Sequence, residues 1–442
     1  MSTVLSELSA VRDAIKKEQP FCTSTYPLTD NGGPLFFLTD GGEGAQYIDL
    51  ANADDLKLQT LVGACERAAF GLDNKDVLDE TYRKAWKMDS SNFLTRLDVV
   101  NAGIMDHVCA KLVQNTERKV RSEIYKLNVY GPGSFFKAHK DTPRSENMFA
   151  SLVVVFPTRH EGGALHFRHK GEEWTFDSAT ITSAQEIPSI AYVAFYSDVE
   201  HEVSMVTSGH RVTLTYNLYY DDTTSVTSND WIKEDEAALR ESLSSLLQNP
   251  DVLPRGGYLG FGLDFMYPTA AETKLKDLIN SLKGSDAMIK RVLEQLSLNP
   301  KLTVIYKASE KGYETVEEDG RTKYRRTITI THVMLDEMDR FPDWQIEEGI
   351  VDALLGVGGV AICDADEEST SSDDGNRRSR IKAKKVLWIT PLTSFSRVKT
   401  SYIAYGNQAS LGYSYGNLCL VVKKAGPDFD EKKQAGKRRR VI

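Results

Sequence analysis

The sequence predicts a mostly β chain with flanking helices. Its first half reads as a barrel or double-sheet jelly roll (double-stranded β-helix), and its second half as an α+β domain or a second jelly roll with helical decoration. Three observations predict this. From Tyr125 to Tyr220 short β-rich runs (YKLNVY, SLVVVFP, ALHF, EWTF, IAYVAFY, RVTLTYNLYY) follow one another between turn residues, the spacing of closed or double-sheet all-β folds. After Tyr220 the composition shifts to a polar stretch opening Asp221-Asp222-Thr223-Thr224-Ser225. The 442 residues also exceed the length at which one hydrophobic core keeps growing, so two domains are expected, 1–220 and 221–442.

Taken in order, Val4, Leu5, Leu8, Val11 and Ile15 have the spacing of an amphipathic helix over residues 2–17. Leu56–Phe70 and Ala102–Asn115 are further helical candidates, placed with the first helix against one face of the sheet. In the last β run Arg211, Thr213, Thr215 and Asn217 share one face and Val212, Leu214, Tyr216 and Leu218 the other. The first set is polar enough to line a cavity. Beyond the boundary, helices are expected over Trp231–Leu247, Ala271–Leu282 and Ala287–Leu296, and strands over 302–306, 327–333 and 418–422. Residues 364–380, acidic, then Ser-rich, then basic, have no large apolar side chain to order them. No fixed-period repeat is visible.

With 41% hydrophobic and 26% charged residues the chain has globular composition. A net charge of -9 argues against a protein whose task is to coat nucleic acid. Five scattered cysteines without CxxC spacing suit free thiols in a reducing compartment. The N-terminus lacks the apolar core of a signal peptide, and no run is long enough to span a bilayer. A cytoplasmic or nuclear protein with no membrane partner is expected. The basic tail within 431–442, with six basic residues between Glu431 and Arg440, fits a nuclear-import signal and fits a solvated tail equally well. Nothing sets the oligomeric state.

The chemistry concentrates in the stretch Tyr125–Arg144, which contains His139-Lys140-Asp141. On an extended strand residues two apart point to the same side, so imidazole and carboxylate can converge on one ion. His201 completes the two-histidine, one-carboxylate face that suits non-haem Fe(II) and leaves positions open. An H-x-D alone is unspecific. Its order is what carries weight: some sixty β-rich residues, then His201, then Arg211 ten residues on. Arginine offers a planar two-pronged donor set matched to a carboxylate.

Tyr130, Gly133, Phe136, His139 and Asp141 resemble the Y-x-x-G-x-x-Y-x-x-H-x-D signature of prolyl 4-hydroxylase-like Fe(II)- and 2-oxoglutarate-dependent oxygenases, with Phe136 where that family has Tyr. GGALHF (Gly162–Phe167), DVEHEV (Asp198–Val203) and RVTLTYNLYY resemble its following strand, its distal-histidine segment and its closing strand. The resemblance covers about a hundred residues. It implies a jelly-roll catalytic domain, Fe(II) held by His139, Asp141 and His201, and 2-oxoglutarate held through its far carboxylate by Arg211. O2 would be the oxidant and ascorbate a reductant, and a C–H bond, most simply of a prolyl residue in a protein, would be hydroxylated with release of succinate and CO2.

Tyr130 and Thr213 are candidates for co-substrate contacts, against readings as a core tyrosine and an ordinary strand threonine. Where this branch often places a further tyrosine, the chain offers Val153, Val154, Val155 and Phe156. His160, His166 and His169 are expected at exposed hairpin positions without a second metal, and His210 is expected to be structural. After residue 220 only His332 remains, so the second domain cannot repeat the iron site; it resembles the metal-free second jelly roll of two-domain fungal hydroxylases. Two rivals stand beside the protein hydroxylase. An oxygenase acting on nucleic acid tends to carry a second arginine six residues after the first, where this chain has Asn217; a small-molecule substrate is equally conceivable. A non-catalytic interaction protein would bind no iron.

Overall fold

The computed structural model describes residues 2–15, 19–28, 33–39, 44–72, 75–113, 119–145, 147–221, 234–269, 273–318, 321–338, 350–366, 383–404 and 410–426. The segment 367–382, which holds most of the expected polar loop, and the tail 427–442 lie outside them. Two compact units result, Glu18–Asn229 and a unit joining Met1–Lys17 to Asp230–Ile442.

The first unit is a jelly roll of two antiparallel sheets. The larger has the strand order Phe21–Pro27, Ser189–Tyr196, Met148–Val155, Arg211–Tyr220, Val120–Tyr130, Trp86–Asp89, Glu66–Arg67. The smaller runs Glu172–Phe176, Leu165–His169, Glu200–Val203, Phe135–His139, Arg83–Lys84. Aromatic side chains join the layers: the Phe167 and Phe195 rings lie 5.1 Å apart, and Phe21 stacks on Phe167 at 4.9 Å. Every residue of Ser189–Tyr196 is buried, because the strand's outer face is covered as well. Tyr196 Oη donates to Leu112 O at 2.6 Å, and the Tyr192 hydroxyl meets His107 Nδ1 at 2.9 Å.

The segment supplying those partners was expected as one helix over 102–115. It is a short α-helix, Ile104–Val108, continued by a π turn, Cys109–Val113. The expected 56–70 helix stops at Gly63, the poorest helix former in the run. Glu66–Arg67 pair with the Trp86 strand instead.

The N-terminal helix, Ser2–Ala14, departs from the sequence expectation. Its stripe Leu8, Val11 and Ile15 is buried in one cluster with Leu239, Leu243 and Leu246 of helix Glu234–Gln248, so it belongs to the second unit. Arg12 fixes its orientation, Nε donating to Ile389 O at 2.6 Å and Nη2 to Trp388 O at 3.1 Å. Each buried Leu or Val contributes roughly 1.5–3 kcal/mol, enough to decide which core the helix joins.

In that unit Gly257–Gly262, Lys384–Thr390, Val360–Asp364, Arg321–Leu335, Lys301–Glu318 and Ser410–Lys424 pair in sequence, and the last pairs back to the first. Six strands thus close on themselves, and a seventh, Arg397–Ala404, pairs with the first part of Ser410–Lys424. Strand Lys384–Thr390 pairs in parallel on both sides, whereas jelly rolls are antiparallel. The ring, with its packed helices, therefore mixes parallel and antiparallel pairs. No described helix is long and apolar enough to cross a membrane.

Asp286, fully buried, ties the loop after Gly262 to helix Gly284–Gln295. It accepts from Asp264 N at 2.9 Å, Phe265 N at 3.2 Å and Tyr267 Oη at 2.8 Å. Burial, with Asp264 beside it, pushes its carboxyl up to about 8 from the ordinary 3.8. Between those values the folded state holds a proton that the unfolded chain has lost. Its contribution to stability is therefore full below about pH 4 and is lost as pH rises through 8. Denaturant midpoints should fall from pH 5 to pH 8.5 more steeply in wild type than in Asp286→Asn.

Candidate metal centre and active site

Gly131-Pro132-Gly133-Ser134 carries the chain from the larger sheet into the smaller. Ser134 N donates to Gly131 O at 3.0 Å, and Gly133 takes φ +77°, a type II turn with proline and glycine where that turn requires them. The strand that follows ends at His139, so Asp141 sits just beyond it rather than on it, as H-x-D spacing alone suggested. His139 pairs directly with His201 across the neighbouring antiparallel strand. The ring centroids are 4.2 Å apart, and His201 Nε2 lies 3.8 Å from Asp141 Oδ1. One ligand atom from each of His139, Asp141 and His201 falls within 4.8 Å of the others.

The surroundings set the ligand chemistry. His139 Nδ1 faces Lys137 O at 2.8 Å and His201 Nδ1 faces Val199 O at 3.0 Å. A carbonyl only accepts, so each Nδ1 carries the proton and each Nε2 presents its lone pair. Burial, then the neighbouring His201, holds the His139 imidazole down to about 2, so it is neutral at physiological pH. Ser151 Oγ donates to Asp141 Oδ2 at 2.5 Å, leaving Oδ1 toward His201. These groups fit a ferrous ion bound through two imidazoles and one carboxylate oxygen.

A cavity of about 110 Å³ runs from these three residues between the sheets. Adjacent strands bring Tyr130 opposite Arg211, Asn128 opposite Thr213 and Lys126 opposite Thr215, and all six line the cavity, as strand alternation requires. Arg211 is only 1% exposed. Its Nε donates to Ser178 Oγ at 3.3 Å, its guanidinium lies 5.6 Å from the Tyr130 ring centroid, and Nη2 is buried with no partner among the described residues. Burial lowers its pKa to about 10, still cationic at neutral pH. A buried cation with an unused donor fits the far carboxylate of 2-oxoglutarate, since leaving such a group unsatisfied is costly. Gly163 makes room for it: at φ +69°, a Cβ there would lie 2.9 Å from Arg211 Cδ.

Every site residue expected from the sequence therefore borders one cavity. Thr213 Oγ1 is occupied by Asn128 O, at 3.5 Å. Outside it, His166 bonds Thr175 Oγ1 at 2.9 Å, and the His210 carbonyl accepts from Thr158 Oγ1 at 2.6 Å. Two histidines depart from the exposed positions expected of them: His169 is buried, and His160 is part-buried with Nε2 3.4 Å from Ser178 Oγ. Among the described residues no second cluster of metal-ligating side chains occurs.

Ser151, Ser178 and Arg83 carry no motif signal in the sequence. Arg83 donates Nη2 to Asn128 Oδ1 at 2.8 Å and Nη1 to Ala69 O at 2.8 Å, and lies 4.5 Å above Phe136, which stacks on His139 at 3.6 Å. Losing a group that orients a metal ligand typically costs 10–100-fold in affinity. Ser151→Ala should weaken Fe(II) binding by about that factor in a chelator competition. Ser178→Ala, losing one hydrogen bond from the cationic guanidinium, worth about 1.5–3 kcal/mol, should raise half-saturation by 2-oxoglutarate at least about tenfold.

Residues 125–219 match the family model described as the 2OG-Fe(II) oxygenase superfamily, a family that implies Fe(II) and 2-oxoglutarate. The match supports a 2-oxoglutarate-dependent dioxygenase reaction in the jelly-roll unit. No curated protein sequence matches the chain. Among solved structures it is similar to a prolyl-4-hydroxylase of Pseudomonas putida, with 17% identity and TM-score 0.28 over 48% of this chain and 99% of that one. It is also similar to a Trichoplax adhaerens prolyl hydroxylase in complex with a peptide fragment of the hypoxia inducible factor oxygen degradation domain, with 14% identity and TM-score 0.29 over 50% and 91%. A viral collagen prolyl hydroxylase from Paramecium Bursaria Chlorella virus-1 shows 10% identity and TM-score 0.25 over 46% and 97%. Likenesses of this size say nothing about this chain's substrate.

Proposed function

We propose that this domain hydroxylates an unactivated C–H bond of a prolyl residue in a protein, consuming O2 and 2-oxoglutarate and releasing succinate and CO2. The observation that carries the reading is the pairing of the His139–Asp141–His201 cluster with a buried, half-partnered Arg211 in one cavity. Fe(II), when bound, supplies the oxidising chemistry with O2 and the co-substrate. The remaining work belongs to the chain. His139, His201 and Asp141 hold the ion with the tautomers and carboxylate orientation fixed by Lys137 O, Val199 O and Ser151. Arg211, with Tyr130 beneath it, anchors the co-substrate's far carboxylate at the closed end. Phe136, Phe195, Leu165 and Val203 exclude water from the reacting centre, which strengthens charge interactions inside it.

The test has two stages. Purified full chain, given Fe(II) and 2-oxoglutarate without oxygen, should develop a visible charge-transfer band. Admitting oxygen should then give succinate, with one added oxygen on prolyl peptides from a cell extract, read by mass spectrometry. Absence of both band and succinate in wild type, or their survival in His139→Ala, would sink the oxygenase reading. Oxygen added to residues other than proline would revise the substrate.

A further inference from the structure

We infer that Arg83 and Lys126 form a second anion subsite in the cavity, which takes a carboxylate side chain of the protein substrate, so that the target residue lies within an acidic segment. This rests on the oxygenase reading above and deepens it.

Burial distinguishes the two ends of the cavity. At one end Arg211, Tyr130 and Thr213 are 1%, 4% and 1% exposed. At the other, Lys126, Thr215, Asp141 and Arg83 are half-buried, so a macromolecular substrate enters there. Lys126 is four residues along its strand from Tyr130, the partner of Arg211. At about 3.4 Å per residue the backbone positions of Tyr130 and Lys126 stand roughly 13 Å apart, which sets Lys126 toward the opposite end of the cavity from Arg211. Arg83, on the neighbouring sheet, donates to Asn128 Oδ1, whose Nδ2 in turn donates to Thr215 Oγ1 opposite Lys126.

Among the described residues neither cation pairs with a carboxylate, and Lys126 Nζ lies 4.6 Å from the Tyr125 ring centroid. Asp89, opposite Lys126 on the adjoining strand, is held by Lys87 at 3.1 Å. Among the described residues no carboxylate pairs with Arg83, whose Nε is buried without a partner. The lining holds Arg83, Lys126 and Arg211 against the single carboxylate Asp141. With Fe(II) and dianionic 2-oxoglutarate in place, two positive charges remain uncompensated in a confined, poorly solvated space. A chain of net charge -9 would repel acidic partners in general, so a local cationic end makes docking of one position-specific. Two cations on an acidic chain are too few to favour a phosphate backbone, which is gripped by many.

The experiment uses full chain loaded anaerobically with Fe(II) and 2-oxoglutarate. Its probes are fluorescein-labelled decapeptides with one proline flanked by glutamates, by glutamines or by lysines, read by anisotropy. Wild type should bind the glutamate peptide at least tenfold more tightly than the glutamine one. Arg83→Gln and Lys126→Gln should each remove most of that preference, and Lys126→Glu should turn it toward the lysine peptide. Because Arg83 also bonds Ala69 and Asn128, the Lys126 variants keep the test valid if Arg83→Gln fails to fold. Equal binding of the peptides by wild type overturns the inference, as does an unchanged preference in Lys126→Gln. Tighter binding of a ten-nucleotide single strand than of the glutamate peptide also overturns it. So does a weakened charge-transfer titration with 2-oxoglutarate in the Lys126 variants, which would assign that cation to the co-substrate. A missing charge-transfer band in wild type indicts the oxygenase reading; a normal band without peptide preference indicts only the subsite.

Discussion

His201→Ala should abolish Fe(II) binding at micromolar metal, eliminate the anaerobic charge-transfer band and reduce succinate formation more than about a hundredfold, beyond the 10–100-fold of an outer-shell loss. His201 is the most buried of the three ligands, 6% exposed, and lies between the other two: its ring is 4.2 Å from His139 and its Nε2 3.8 Å from Asp141. Removing it leaves two ligands contributed by one short segment, with nothing on the facing strand to close the chelate. The fold should survive. His201 contacts Phe195 at 4.6 Å but makes one hydrogen bond, to Val199 O, so its loss should cost about 1–3 kcal/mol, the ordinary range for a buried truncation. Apoprotein circular dichroism should be unchanged, and free imidazole should restore part of the band. A band of normal intensity in His201→Ala would mean that the cluster is not the iron site.

How much of this was readable beforehand follows from separation along the chain. The alternation of Arg211, Thr213 and Thr215 on one strand face is local, and the structure places all three on the cavity. The closeness of His139 and Asp141 is also local, although Asp141 reaches the site from beyond the strand end. The pairing of His139 with His201 is not: it depends on the register of two strands, and only the order of motifs hinted at it. Arg83 lies 45 residues from Asn128, and Ser178 lies 33 from Arg211. Common residue types meeting across such distances leave no pattern to read. The same limit explains the N-terminal helix. Its amphipathic stripe was evident, but an apolar stripe does not say which of two cores will bury it. In the second unit short apolar runs were legible as strands, yet the closure of six of them into a ring with parallel members depends on long-range pairings that periodicity does not encode.

Arg211→Met should separate co-substrate binding from iron binding. Arg211 is a buried cation that donates through Nε to Ser178 Oγ and whose Nη2 has no partner among the described residues. Burial already lowers its pKa to about 10, a sign of desolvation not offset by an opposing charge. Replacing such a charge with an apolar side chain of similar length is often neutral or stabilising, so the apoprotein melting temperature should hold or rise. Binding of 2-oxoglutarate should suffer, because a buried charge-assisted pair is lost at about 2–5 kcal/mol. Half-saturation in the charge-transfer titration should therefore rise at least about 30-fold, given about 1.4 kcal/mol per factor of ten. Arg211→Lys should fall between, since a point charge cannot reproduce the two-pronged geometry. Fe(II) affinity measured alone should be nearly unchanged, since no iron ligand hydrogen-bonds Arg211. The stabilisation that 2-oxoglutarate gives wild type, which grows with the logarithm of ligand over dissociation constant, should disappear from Arg211→Met at millimolar co-substrate. A variant that kept that thermal shift would place the far carboxylate elsewhere, on Arg83 or Lys126, and would reverse the direction in which the co-substrate lies in the cavity.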